Sequence, residues 1–414
     1  MTKDLPNSSL ITRIGQEIIS NLHGCEKYRL HCLSTSPSTD SPIVHSNSHV
    51  LTIKQERLIL LSEIVPRNDP TTITTTSTTT TTNNNNNNNS VVQKKRTPSE
   101  KYIQEEEVFV FAMKTSEYNY KENNDTSYNL IYIEKIDSSG YGSSSKSLTS
   151  KSPCRSVVAG YLSSISDFLP PGNTRIHIFS RSQPQYLFHK SIGSHKNVLN
   201  DIQLMRWWSR TLSVCHWQSN VQKNGFWFVP GEDANTMPKP PAGNHILWHW
   251  GHPFLNGEKA LASKVIPRFE DDIKLKTLQF STDPNTTINE FFQILSLSGE
   301  CSAGRTAAIF VIDLGQTKRM SEIQERLITS DEFKVYLSDL MNDHISNYST
   351  KDLAASSTTT FLDRIKKSNG YESYVFQLQG KPDNPVDGDK KRCEFNSPDN
   401  VKVSNNLKEF FLNF

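Results

Sequence analysis

Apolar residues recur along this chain at two spacings. Ile11, Ile14, Ile18, Ile19 and Leu22 fall at helical spacing and predict a short amphipathic opening helix whose role is packing. Val50 to Val65, dense in Leu and Ile with Arg57 and Glu63 as interruptions, reads as one or two strands. Val108 to Met113 and Tyr128 to Asp137 are apolar runs of strand length around a polar gap, the pattern of an antiparallel pair in a sheet. The second run ends at Asp137-Ser138-Ser139-Gly140-Tyr141-Gly142, where Gly and Ser mark a turn. A carboxylate at that strand end either caps the turn or acts from it. Val157, Val158, Tyr161, Leu162 and Ile165 then fit a helical face that begins near Arg155. Lys151 and Arg155 flank the free backbone N–H groups of its first turn, a place where a phosphate can sit, although helix starts of this composition also occur without a ligand.

Further on, Arg175 to Ser180 predicts a core strand, and Leu204 to Leu212 a helix with Asn200 or Asp201 as its N-cap. Trp207 and Trp208 lie about 100° apart on such a helix. One can face a core, and the other is left for a ligand face. Ile246 to Gly251 alternates as a strand, Asn289 to Leu297 reads as a helix, Ala307 to Ile312 as a strand, and Phe333 to Met341 as an amphipathic helix. After Ser346 the chain turns polar, with Thr358 to Thr360 and Lys390-Lys391-Arg392, and reads as peripheral.

Composition divides the chain. At 414 residues it can bury a large core, but Thr71 to Asn89 passes from a threonine run into asparagines. Residues 68–100 cannot bury enough surface to offset chain entropy and read as a disordered insert within a domain. Lys94-Lys95-Arg96 in that insert is a solvated charge run or a nuclear address. The expected organisation is 1–67 and 101–345 as one folded unit around the insert, with 346–414 outside it. A net charge of +2 argues against nucleic-acid binding by a general basic surface, and no direct sequence-specific nucleic-acid contact is expected. The six cysteines are irregularly spaced without a CxxC, and His249 and His252 lack partners at metal spacing, so neither a metal site nor a disulfide framework is expected. Without a hydrophobic signal core or a membrane-length apolar run, the protein is expected to be intracellular, with no membrane partner.

The candidate chemistry centres on Pro267-Arg268-Phe269-Glu270-Asp271-Asp272-Ile273-Lys274-Leu275-Lys276. Adjacent carboxylates followed closely by an ammonium, with Phe269, Ile273 and Leu275 interleaved, cannot all be solvated at once. Asp271 and Asp272 held side by side would titrate as a coupled pair, with desolvation raising at least one of them into the range of a useful base. A charged turn between two strands is the alternative reading.

Taken in order, Gln185-Tyr186-Leu187-Phe188, Asn197-Val198-Leu199-Asn200, Leu204-Met205-Arg206-Trp207-Trp208, Pro230-Gly231-Glu232-Asp233 and Ile266-Pro267-Arg268-Phe269-Glu270-Asp271-Asp272-Ile273-Lys274 resemble the fungal-type histone H3 lysine acetyltransferase family. That family works with histone chaperones and shares its fold with the CBP-type acetyltransferases. The resemblance implies an α/β (α+β) fold, a central mixed β-sheet surrounded by helices, and a nuclear enzyme that acetylates core-edge and tail lysines of histone H3 in chromatin assembly and the DNA-damage response. By position it implies acetyl-CoA against Ile136, Asp137, Ser138, Lys151, Ser152, Pro153, Cys154, Arg155, Phe179, Gln183, Asn197, Val198, Leu199, Ile202 and Trp207. It further implies Asp272 as the catalytic acid/base with Asp271 and Asp137 in support, Tyr186 and Trp208 lining the substrate tunnel, and Lys274 as a buried, autoacetylated lysine. The implied partners are histone H3–H4 and histone chaperones. This chain departs from the family pattern at Glu270 and Ile273, where proline is frequent, at Asn197 in place of histidine, and at Lys276 in place of arginine. The last change removes a bidentate phosphate grip.

A substrate lysine, with a solution pKa of about 10.4, is neutral in roughly one molecule in a thousand at physiological pH. The expected mechanism therefore has Tyr186 and Trp208 desolvate the ammonium while Asp272 takes the proton, directly or through water, with direct transfer in a ternary complex. The rival expectations are a catalytically weak scaffold for histone or chaperone, and a broad CBP-like protein acetyltransferase.

Overall fold

The computed structural model describes residues 9–21, 27–43, 51–66, 105–121, 126–142, 153–217, 222–241, 246–254, 260–280, 282–298, 301, 307–320, 325–342, 345–367 and 375–379. In chain order the elements are α1 (Leu10–Asn21), β1 (Lys27–Thr35), β2 (Ser38–Asp40), β3 (Thr52–Pro66), β4 (Glu105–Lys121), β5 (Ser127–Ser138), α2 (Pro153–Ile165) and β6 (Gly172–Ser180). There follow α3 (Asp201–Ser213), β7 (Lys223–Phe228), β8 (Ile246–Trp250), α4 (Ala262–Val265), α5 (Ile273–Phe280), α6 (Ile288–Ser296), β9 (Ala308–Thr317), β10 (Leu327–Ile328), α7 (Ser330–Met341), α8 (Lys351–Lys366) and β11 (Val375–Gln379). The strands form one mixed sheet in the order β10-β1-β3-β4-β5-β6-β9-β7-β8, with β11 on β1 and β2 on β3. The α/β architecture of a mixed sheet flanked by helices is the one expected.

Alternation along the strands divides the core between the two faces of the sheet. Ile131 and Ile133 of β5 join the large cluster under α1, α2 and α3, whereas Leu130 and Tyr132 join the opposite face with Phe269. Helices α7 and α8 cover Leu58, Leu60 and Phe109, and α4 to α6 cover Ile309 and Val311. Among the described residues no helix is long and apolar enough to cross a membrane. The insert at 68–100 lies outside the described residues.

Two departures from the sequence reading share a cause. β4 continues past Met113 through Lys114 to Lys121, a stretch read as a polar gap, because its polar side chains pair across strands. Lys114 bonds Glu134 at 2.6 Å and Glu56 at 3.0 Å, and Glu117 accepts from the fully buried Arg57 at 2.6 Å. The region after 345, read as peripheral, is in its described part a structural element: α8 buries Phe361 edge-on against Phe109 at 5.3 Å, and β11 pairs with β1 from Lys27 to His31. The Thr358, Thr359 and Thr360 hydroxyls donate to the carbonyls of Ala354, Ala355 and Ser356 one turn back. Thr358 Oγ1 also accepts from the Phe109 N–H of β4 at 3.0 Å, so the face carrying it can be buried.

Candidate active site

The site originates where two parallel strands part. β5 and β6 pair in register from Tyr128↔Asn173 to Ile133↔Ile178, and no pairing follows. β5 runs on to Ser138 along β4 and β6 to Ser180 along β9, so a gap opens at their carboxyl ends. That is the general position of a ligand crevice in an α/β sheet. The amino ends of α2 and α3 border the gap; Asn200 caps α3 by accepting from the Gln203 N–H at 2.9 Å, while the Gln203 side chain accepts from the Asn200 N–H at 3.0 Å.

The resulting cavity measures about 200 Å³. Its walls include Ile136, Asp137, Ser138, Cys154, Arg155, Phe179, Gln183, Tyr186, Asn197, Val198, Leu199, Trp207 and Trp208, all singled out in the sequence. Pro153 stands one residue behind, at the first position of α2, and Ile202 packs against the main core. Lys151 and Ser152 lie outside the described residues. The two tryptophans divide as expected. Trp208 is buried in the core and Trp207 is half-buried, with the rings edge-on at 5.1 Å.

Arg155 gives the cavity its charge preference. It is buried, and its Nε has no hydrogen-bond acceptor among the described residues. Burial, reinforced by the nearby Arg210 charge, lowers its pKa. A buried cation in this state, at the first turn of a helix, is matched by an anion carried in by a ligand. Apolar walls and aromatic rings beside such an anion site fit an elongated, partly apolar ligand that carries negative charge.

The acids behave differently from the coupled pair expected. Asp271 sits in the left-handed region at φ 59 and its largely exposed carboxylate turns outward to Lys135 at 2.9 Å. The Lys135 hydrogen bond and charge hold its carboxyl below the usual range. Asp272 turns inward: it is buried, forms a short ion pair with Lys274, and accepts from the Lys274 backbone N–H at 2.9 Å. It thus caps α5, so the charged segment leads into a helix and is not a turn between two strands. Adjacent residues at a helix start diverge, so the two carboxylates do not share a site.

Asp272 does not line the cavity. The Lys274 ammonium rests 5.3 Å from the centre of the Phe179 ring, and Phe179 forms cavity wall, so the Asp272–Lys274 pair lies behind that ring. Phe269, fully buried, stacks on Tyr132 at 4.2 Å and anchors the loop, while Lys54 bonds Glu270 at 2.7 Å. His177 beneath is held neutral, its pKa driven well below the usual value by burial and by Lys274.

Asp137 is committed elsewhere. Its Oδ2 accepts from the N–H groups of Tyr186 (2.9 Å), Leu187 (2.9 Å) and Phe188 (3.1 Å), and its Oδ1 from Lys196 Nζ at 2.6 Å. A carboxylate that collects this many donors anchors the backbone around it. Lys196, Glu134 and Arg181 also line the cavity, and no local pattern marked them.

The sequence profile of the histone acetyltransferase KAT11-type domain family matches residues 166–382, just over half of the 414 residues. The chain belongs to this family. Its relatives include the histone acetyltransferase rtt109 of Schizosaccharomyces pombe, 29% identical over 232 residues, a match that covers 51% of this chain and 58% of that protein. The histone acetyltransferase RTT109 of Candida albicans is 25% identical over 212 residues, covering 49% and 52%. The chain thus spans little more than half the length of these curated relatives. The crystal structure of Rtt109 from Aspergillus fumigatus superposes with a TM-score of 0.64 at 18% identity, covering 90% of this chain and all of that one, a likeness of fold. The matched family span starts at Ser166, after β5 and α2, although those two elements provide Ile136, Asp137, Ser138, Cys154 and Arg155 to the cavity.

Proposed function

We propose that this protein transfers the acetyl group of acetyl-CoA to a lysine of histone H3, within H3–H4 delivered by a histone chaperone, in the nucleus. The observation that carries this reading is the cavity at the parted ends of β5 and β6, where the buried Arg155, its Nε without an acceptor among the described residues, and the rings of Tyr186, Trp207 and Trp208 face one space. The histone acetyltransferase names of the relatives support histone as the acceptor. Core-edge and tail lysines of H3, and roles in chromatin assembly and the DNA-damage response, are the finer form of the same reading.

Acetyl-CoA, when bound, supplies an activated acetyl thioester. Arg155 and the amino end of α2 hold its negative charge; Ile136 to Ser138 and Asn197 to Leu199 form the walls beside it. Tyr186 and Trp208 strip water from the incoming ammonium, favouring the neutral amine that attacks. Asp272 would accept the released proton by way of water, and Lys274 balances its charge. Acetylation of Lys274 would remove that balance and leave the acid a freer base.

The test is acetyl-CoA with H3–H4, with and without a chaperone, read by mass spectrometry of the histone and of Lys274. Acetylated H3 is expected, with Asp272→Asn lowering turnover by about a hundredfold or more while acetyl-CoA still binds. Absence of transfer under all of these conditions would overturn the reading. A second reading, a catalytically weak scaffold that binds histone or chaperone, is favoured by the burial of Asp272 outside the cavity wall; turnover equally weak in parent and Asp272→Asn, with histone binding intact, would point to it.

A further inference from the structure

We propose that Lys196 is a positioning residue for this cavity: its buried ion pair with Asp137 latches the segment carrying Tyr186 and Asn197 to Leu199 onto the end of β5 and so sets the width of the acetyl-CoA site. The inference rests on the acetyl-CoA reading given above. Lys196 and Asp137 are 59 residues apart, and both side chains are 4% exposed. The ammonium donates to Asp137 at 2.6 Å and to Ser191 Oγ at 2.8 Å. The other Asp137 oxygen collects the consecutive N–H groups of residues 186–188, so one carboxylate ties together the wall that bears Tyr186 and the residue preceding Asn197.

Contacts on either side show that the segment is seated at backbone level. Gly140, at φ 88, allows the end of β5 to approach so closely that a Cβ there would meet Lys196 Cα at 2.9 Å, and the Tyr141 ring stacks on His195 at 4.2 Å. On the outer side His189 donates to the Leu340 carbonyl at 3.2 Å and accepts from the Tyr348 N–H at 2.9 Å, joining the segment to α7 and the approach to α8. The Asp137–Lys196 pair is the link on the cavity side, and Lys196 itself is part of the cavity wall. A buried ion pair adds little net stability over an apolar pair of similar volume, because desolvation offsets the attraction. What it supplies is a fixed separation, and ligand binding is sensitive to errors of an ångström in such a separation.

Removing Lys196 alone would strand a buried carboxylate and threaten folding, so the decisive variant neutralises both partners, Asp137→Asn with Lys196→Met. Thermal melting and acetyl-CoA affinity by calorimetry are measured on the full chain for the parent, this double variant and Lys196→Arg. The double variant is expected to melt near the parent and to bind acetyl-CoA about tenfold or more weakly, with Lys196→Arg in between. Binding by the double variant as tight as that of the parent overturns the latch, and so does failure of the double variant to fold, since the pair would then be an element of stability. A parent that does not bind acetyl-CoA overturns the cofactor reading itself, an outcome distinct from both.

Discussion

At the scale of single residues, Arg155 is the sharpest probe of the site. A buried guanidinium whose Nε has no acceptor among the described residues is destabilising until an anion compensates it. Arg155→Gln is therefore expected to leave the melting temperature of the free protein unchanged or raised, and to weaken acetyl-CoA by about ten- to a hundredfold, a loss read by calorimetry. A lowered melting temperature with unchanged affinity would show that the guanidinium serves folding alone. The sequence pointed to Arg155 through its place at a helix start, but that its Nε finds no acceptor among the described residues is a tertiary fact. For Asp271 and Asp272 the sequence marked the pair and misjudged their relation, since adjacency along the chain says nothing about direction once a helix begins between them.

Among the elements, the loop before α5 depends on one aromatic anchor. Phe269 is fully buried between Tyr132, Tyr118 and His177, with Lys54–Glu270 and Lys135–Asp271 as ion pairs nearby. The exposed carboxylates make those ion pairs weak contributors, so the ring dominates. Phe269→Ala is expected to cost about 3–5 kcal/mol in chemical denaturation, from lost burial plus the cavity left behind. It should also loosen the Asp272 loop, detectable as faster amide exchange at residues 270–274. The start of α3 was legible because its signal is local: Asn200, one of the two caps read, forms a capping box with Gln203 within four residues of sequence. The polar half of β4 was not, because the carboxylates that satisfy Lys114 and Arg57 come from other strands.

For the molecule as a whole, buried polar pairing across the sheet links stability to pH. Burial pushes Glu107 upward, but the hydrogen bonds and charges of His31, Ser62 and Arg29 outweigh it and bring its pKa down from 4.5 to about 2. A carboxyl depressed in the folded state stabilises fully above its unfolded pKa, and that contribution is lost as the pH falls from about 4.5 towards 2. The loss is about 3 kcal/mol, so the acid limb of the stability curve should flatten in Glu107→Gln when followed by urea denaturation between those pH limits. Truncation after residue 345 should abolish cooperative unfolding in calorimetry, because it removes α8 and β11, which close one core and extend β1.

The sequence by itself determined the alternation of strands and helices, the cap of α3, the aromatic pair on that helix and, through ordered motifs, the family; all of these are written in neighbouring residues whose spacing local geometry enforces. Only the tertiary structure decided that β5 and β6 part after Ile133 and Ile178, that Arg155 is buried there with no acceptor for its Nε among the described residues, that Asp272 is turned behind Phe179, and that Lys196 meets Asp137. Each of those depends on which distant segments share a surface, and desolvation, the force that gives such meetings their chemical effect, exists only once the chain has closed around them.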